Sequence, residues 1–213
     1  MVKEKMIENF LMRIYLEVIE NIAGKNGLKS ILHYGHLEKY IDNFPPDDGK
    51  VETPAKDAKH LIHSLEDILG KKGSRGLSLR VGREFTRHLI GGRPAIAKSL
   101  KLASKLVPEN IKMRLVLEKC VDQYDTIYTF TTEGPHSKFI EEENYFLFYV
   151  YDFFMSDGVS SDRPVCDINI GMFEHFMKWI TGHPHKVEEI ECRAMGDQAD
   201  VFKIWKSHDD EER

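Results

Sequence analysis

Two cysteines and two acidic residues stand in the C-terminal quarter of this chain at the spacing Cys166-x22-Glu189-x2-Cys192-x7-Asp200. Thiolates and carboxylates are zinc ligands, and zinc takes about four such donors in a tetrahedral array. Cys166 stands just before a helical pattern. Lys186 to Arg193 and Asp200 to Lys206 read as the two strands of a hairpin, which brings Cys192 and Asp200 together. Strict alternation puts Glu189 and Cys192 on opposite faces of their strand and gives Glu188 the face of Cys192. A bulge, or the strand's end, re-aims such a side chain. Spacing alone leaves Glu188, Glu189 and Glu191 open as the carboxylate. The competing reading is that Cys166 and Cys192 are two small buried hydrophobes, the usual fate of a free thiol.

Other candidates weigh less. Cys120 falls on a helical pattern and reads as plain core. His183 and His185 flank Pro184 in the turn before the hairpin, where a solvated turn is favoured over a further ligand to the same ion. His60 and His63 share a helix face with no thiol or acid at ligand spacing and read as surface. His175 faces either a cavity or solvent. Asp197 and Arg193 fit turn chemistry. The glycine series Gly70, Gly73, Gly76, Gly82 lacks the preceding strand and the Gly-Lys-Ser/Thr ending of a phosphate loop, so close packing of a turn and a helix is expected and no nucleotide cofactor. No nucleophile stands beside a base in a recognisable motif, so a non-catalytic protein is expected. Tyr128, Phe130, Tyr145, Leu147, Tyr149, Phe173 and Phe176 either line an apolar cavity carrying a few phenolic hydroxyls or fill a core.

The elements that must hold these residues are legible in outline. Apolar residues recur at three and four from Met6 to Ile22, an amphipathic helix that Gly24 ends, and a short helical run covers Leu28 to Tyr34. Phe44 to Gly49 is a loop. Thr53-Pro54 reads as an N-cap and first helical position of a helix reaching about Leu69. Pro94 to Leu106 and Pro108 to Tyr124 are two more helices. After Asp125 the period changes to two: Ile127, Tyr128 and Phe130, then Phe139 and Ile140, then Tyr145 to Tyr151 are expected as antiparallel strands. The last is apolar on both faces and is expected to be central and covered on both sides. A helix over about Ile168 to Thr181 precedes the hairpin. Helices first and strands later make the fold class α+β.

The bulk numbers exclude several classes. With 41% hydrophobic and 31% charged residues the chain is ordinary for a globular protein, and its 213 residues need at most two domains. A net charge of -5 gives no reason to expect nucleic acid or an anionic membrane surface. Acidic residues at 4, 8, 17 and 20 argue against a targeting segment, and the longest apolar run is too short to span a bilayer, so no membrane insertion is expected. Three cysteines suit a reducing cytoplasm better than a disulfide scaffold.

The hairpin from Val187 to Phe202 and Pro164-Val165-Cys166 before the glycine-containing helix Gly171 to Trp179 resemble the 4-vinyl reductase domain family. The stretches GLKSILHYGHLEKYIDNFPP and GSRGLSLRVGREF resemble its hydrocarbon-binding prokaryotic relatives. The resemblance implies an N-terminal helical extension over 1–52 and a ligand-binding domain over 53–207. The implied fold is shared with TRAPP tethering subunits and, distantly, with haem-based nitric oxide sensors. It implies a sensor or carrier for an apolar, aromatic or tetrapyrrole-type small molecule. A structural zinc would sit on Cys166, Glu189 and Cys192, with Asp200 where the family pattern has a further cysteine. That departure leaves open whether the metal is kept and which metal it is. Participation in reducing a tetrapyrrole vinyl group is the enzymatic alternative, although nicotinamide and flavin motifs are missing. A protein-interaction module is the third. A homodimer through the first helix is compatible with each.

Overall fold

The computed structural model describes residues 5–128 and 136–208. By its contacts the chain divides into two compact units, Met1–Val81 and Gly82–Arg213, and the division falls inside a helix.

In the first unit, strand β1 (Met6–Glu8) pairs antiparallel with β2 (Val51–Pro54), and helix α1 runs Asn9–Tyr34. The apolar run from Met6 is thus strand before it is helix. The first turns of α1 are amphipathic, as expected, with a wide apolar side: Phe10, Leu11, Met12, Ile14, Tyr15, Leu16, Val18 and Ile19 are buried, while Arg13, Glu17 and Glu20 form the narrow half-exposed polar stripe. Gly24 breaks the helix at φ 72°, a conformation that a Cβ disfavours, and the chain resumes as the expected short helix to Tyr34. Helix α2 (Ala55–Gly92) repeats the device at Gly70, φ 71°. The glycines beyond it are helical, in keeping with the packing reading. Thr53 and Pro54 end β2 instead of capping α2. The Thr53 hydroxyl donates to Asn9 Oδ1 at 2.9 Å, while Asn9 Nδ2 donates to Asp48 Oδ1 at the same distance.

The second unit takes up the end of α2 and adds α3 (Pro94–Ser104), α4 (Glu109–Tyr128), β3 (Ser137–Glu141), β4 (Tyr145–Val150), α5 (Asp167–Thr181), β5 (His185–Glu191) and β6 (Asp200–His208). The fold is α+β. Ile127 and Tyr128, expected in a strand, are the last residues of α4, and Phe130 lies outside the described residues. The helix is held by its partner, Tyr124 donating its hydroxyl to Asn169 Oδ1 on α5 at 3.0 Å. Gly82 of α2 lets that helix close on α5, since a Cβ there would lie 2.0 Å from the Ile168 carbonyl oxygen.

The four strands form one antiparallel sheet in the order β3-β4-β6-β5. β4 is central, as expected, but its two faces differ. Phe146, Phe148 and Val150 are fully buried and share their face with Phe202 and Ile204 of β6. Phe173 of α5 packs there, its ring centroid 4.8 Å from Phe148 and 5.5 Å from Phe202. Tyr145, Leu147 and Tyr149 point to the other face and are only half buried. Coverage of both faces, expected from the apolar run, is therefore complete on one face only. Among the described residues no helix is long and apolar enough to cross a membrane.

Candidate metal centre

Four donors converge where α5 begins and the β5–β6 hairpin turns. One ligand atom from each of Cys166, Glu189, Cys192 and Asp200 lies within 4.8 Å of every other. A tetrahedral zinc with bonds of 2.0–2.3 Å separates its ligands by roughly 3.3–3.8 Å, so a small contraction closes this set on a single ion.

The local structure explains why these four meet. Glu189 pairs with Phe202, whose side chain is buried beneath α5, and Asp200 precedes Phe202 by two residues, so both acids share the inner face. The register of β5 shifts between Glu189 and Glu191, a bulge that turns Ile190 out to 49% exposure and brings Cys192 round to the side of Glu189. Glu188 lies on the outer face, accepting from Trp205 Nε1 at 3.1 Å, and Glu191 is exposed. Of the three carboxylates that spacing left open, the inward one is Glu189. Beyond Cys192 the chain makes one 3-10 turn over Arg193–Met195. Asp197 Oδ2 accepts from the Cys192 amide at 2.8 Å, which is the turn chemistry expected of it. Cys166 ends the loop before α5, and its amide donates to Glu189 Oε2 at 2.9 Å.

Cys166, Cys192 and Asp200 are fully buried and Glu189 keeps 9% exposure. Asp200 is braced by the Ser156 hydroxyl on Oδ2 at 2.6 Å and by the Arg193 amide on Oδ1 at 2.8 Å. Glu189 Oε1 is buried with no hydrogen-bond partner among the described residues. Burial, then the neighbouring Cys192, pushes the Glu189 carboxyl up to about 9. Burial likewise drives the Cys166 thiol well up, and raises Asp200 against the hydrogen bonds that favour its ionised form. Cys192 goes the other way, to about 6, because Cys166 and Glu189 donate hydrogen bonds to its sulfur. Burial thus makes Cys166, Glu189 and Asp200 harder to ionise than in water, while Cys192 ionises more readily. A buried, unbalanced group of anions is costly unless a cation neutralises it.

The remaining candidates lie elsewhere. Cys120 is buried in α4, its thiol pushed up to about 12 by burial alone. His185 is at the opposite end of β5, with Nδ1 3.0 Å from the Trp205 carbonyl oxygen and Nε2 3.0 Å from Glu109 Oε1. His183, His60 and His63 are exposed, and His175 is half buried on α5. The five aromatic and apolar candidates among the described residues do not come together. Phe173 is in the inner layer and Phe176 is half buried on α5, whereas Tyr145, Leu147 and Tyr149 face outward. There Lys203 Nζ lies 4.1 Å from the Tyr145 ring centroid and Lys138 Nζ 4.8 Å from that of Tyr149. Phe130 and the side chain of Tyr128 lie outside the described residues. Two residues escaped sequence reasoning. Ser156 carries no local signal, being tied to Asp200 across 44 residues. Asn169 carries one: it is a polar residue one helical turn before Phe173. Its Nδ2 is buried with no hydrogen-bond partner among the described residues.

Residues 147–206, which contain all four donors, match the family model of the 4-vinyl reductase domain, the family that the sequence resembles. No curated protein matches the chain. Among solved structures it is similar to an Fe(II) unliganded H-NOX protein from K. algicida, at 14% identity and TM-score 0.63 over 95% of this chain and 98% of that one. An H-NOX protein from S. oneidensis is similar at 11% identity and TM-score 0.61, over 93% and 95%. A structure from a study of heme distortion in the H-NOX family is similar at 12% identity and TM-score 0.60, over 95% and 96%. At these identities the likeness concerns the fold.

Proposed function

We propose that this chain is a small-molecule-binding module, a sensor or carrier, whose C-terminal hairpin is stapled to α5 by one zinc ion on Cys166, Glu189, Cys192 and Asp200. The observation that carries the reading is the convergence of four buried acidic donors with an orphaned oxygen, Glu189 Oε1, among them. A divalent cation supplies the missing charge and the missing partner together. Two thiolates and two carboxylates suit zinc, and the carboxylates harden the set relative to a thiolate-rich site. Three free thiols fit a reducing, cytoplasmic setting.

The ligand class is apolar, aromatic or tetrapyrrole-type, in keeping with the 4-vinyl reductase domain match and the H-NOX-like fold. The haem named for one neighbour belongs to that protein. The donor cluster here is sized for a single ion, its four ligand atoms lying within 4.8 Å of one another. Asn169 is the polar anchor in this reading: Tyr124 fixes its carbonyl, which leaves its amide to donate to an acceptor atom on a ligand held beside Phe173.

Native mass spectrometry of the purified chain, paired with elemental analysis, tests the reading. One zinc per chain, and an organic adduct released on denaturation, are expected. A metal-free chain whose melting is untouched by a chelator would overturn the zinc staple. A ligand-free chain that no apolar or aromatic compound stabilises would overturn the binding module.

A further inference from the structure

The apolar side of α3 points away from the protein. The helix reads Pro-Ala-Ile-Ala-Lys-Ser-Leu-Lys-Leu-Ala-Ser, and its buried residue is Ser104. Leu102 is 65% exposed and Ile96 46%, while Leu106, two residues past the end, is 94% exposed. Lys105 keeps helical backbone angles (φ -65°, ψ -27°), so the stripe carries on through it. At 3.6 residues per turn, Ala95, Leu102 and Leu106 align along the outward side with Ser99 among them, its hydroxyl turned back to the Ile96 carbonyl, and Lys98 and Lys105 lie on one flank, Ile96 and Ala103 on the other.

The charge around this stripe is one-sided, although the whole chain is acidic. From Gly82 to Lys105 the basic residues are Arg83, Arg87, Arg93, Lys98, Lys101 and Lys105, against Glu84 alone. Arg83 pairs with Glu174, Arg87 with Glu84, and Lys101 bonds the Trp179 carbonyl oxygen. Arg93 meets the neutral Gln123. Lys98 and Lys105 have no carboxylate in reach among the described residues.

From this we infer that α3 and the turn after it form a docking surface for a lipid membrane bearing anionic headgroups. Leu102, Leu106 and Ile96 enter the acyl boundary, and Lys98 and Lys105 stay at the level of the phosphates. Such a helix lies in the interface plane, its apolar side down and its cationic stems reaching back to water. A nucleic acid would use the cations but would leave the leucines in water. A second copy packed antiparallel across a twofold axis would bury the leucines but would set its lysine flank beside the same flank of its mate.

Co-sedimentation of the full chain with phosphatidylcholine vesicles, with and without phosphatidylglycerol, tests this. Binding is expected only to the anionic vesicles, weakening as salt rises. The double variant Lys98→Glu/Lys105→Glu should partition at least about tenfold more weakly, given about fivefold per lysine. Leu102→Asp/Leu106→Asp should abolish sedimentation, with the melting temperature and metal content of both variants unchanged. No binding to anionic vesicles overturns the inference, as does wild-type binding by the leucine variant. So does a dimer that the leucine variant splits without any vesicle binding, or duplex-DNA binding that the lysine variant alone loses.

Discussion

The two ends of the β5–β6 hairpin each bury a polar cluster, and the clusters are built on opposite principles. At the open end, His185 meets the Trp205 carbonyl, the Glu109 carboxylate and the Thr181 hydroxyl, so both ring nitrogens face a partner. At the turn end, Cys166, Glu189, Cys192 and Asp200 set four acids together with the Ser156 hydroxyl and backbone amides as their main donors. One cluster is complete within the chain. The other becomes balanced when a cation joins it. A buried polar cluster is thus a sign of a binding site only when its own charges and hydrogen bonds fail to close.

Breaking the turn end should have the largest effect. Cys192→Ala removes one of the four donors, and with it the ion expected to hold the hairpin to α5. The expected outcome is loss of bound zinc and about 3–5 kcal/mol of stability, read by elemental analysis and denaturant unfolding. An unchanged melting curve with zinc retained would refute the assignment.

Acidity should separate the ends next. Without the ion, Glu189, held up near 9, and Cys166, held higher, keep their protons at neutral pH, and an incoming cation must displace them. The sign follows directly: zinc affinity rises with pH between about 6 and 8, falls on acidification, and binding releases at least about one proton. Calorimetry in buffers of different ionisation enthalpy measures that release. A pH-independent affinity would place the ion elsewhere.

At the open end, His185→Ala should cost about 1–3 kcal/mol, because it strands the Trp205 carbonyl and the Glu109 carboxylate, while leaving zinc content at wild-type level. Loss of zinc in that variant would show that the ends are coupled. The smallest effect is expected at Glu188→Gln, on the outer face beside Trp205 and Lys186. It should change stability by less than about 1 kcal/mol and leave zinc bound, whereas Glu189→Gln, one residue away, should lose it. Equal behaviour of the two variants would undo the inward assignment of Glu189.

Local signals carried much of this fold. Gly24 and Gly70 punctuate their helices where the sequence says, because a positive φ is a property of the residue itself. The hairpin and the start of α5 were legible for the same reason. Ile127 and Tyr128, expected in a strand, end α4 instead: residues of high strand propensity stay helical when the helix is held from outside, here through Tyr124 and Asn169. The candidate site was half legible. Alternation along β5 required a bulge to bring Glu189 and Cys192 together, and a bulge at Ile190 is what the register shows. Alternation along β4 likewise separated Tyr145, Leu147 and Tyr149 from Phe148, but which set α5 would cover was not written in the strand.

By itself, the sequence determined which residues can do chemistry, the positions where the backbone must turn, and the α+β order of elements. These depend on side-chain type and on neighbours a few residues away. Only the tertiary structure decided which side of each element is dry. That choice selected Glu189 over Glu188, joined Ser156 to Asp200, left α1 only a narrow polar stripe at Arg13 and Glu17 and left the leucines of α3 in water. Periodicity states that a helix or strand has two sides, whereas burial depends on what packs against it, and those partners are distant in the chain.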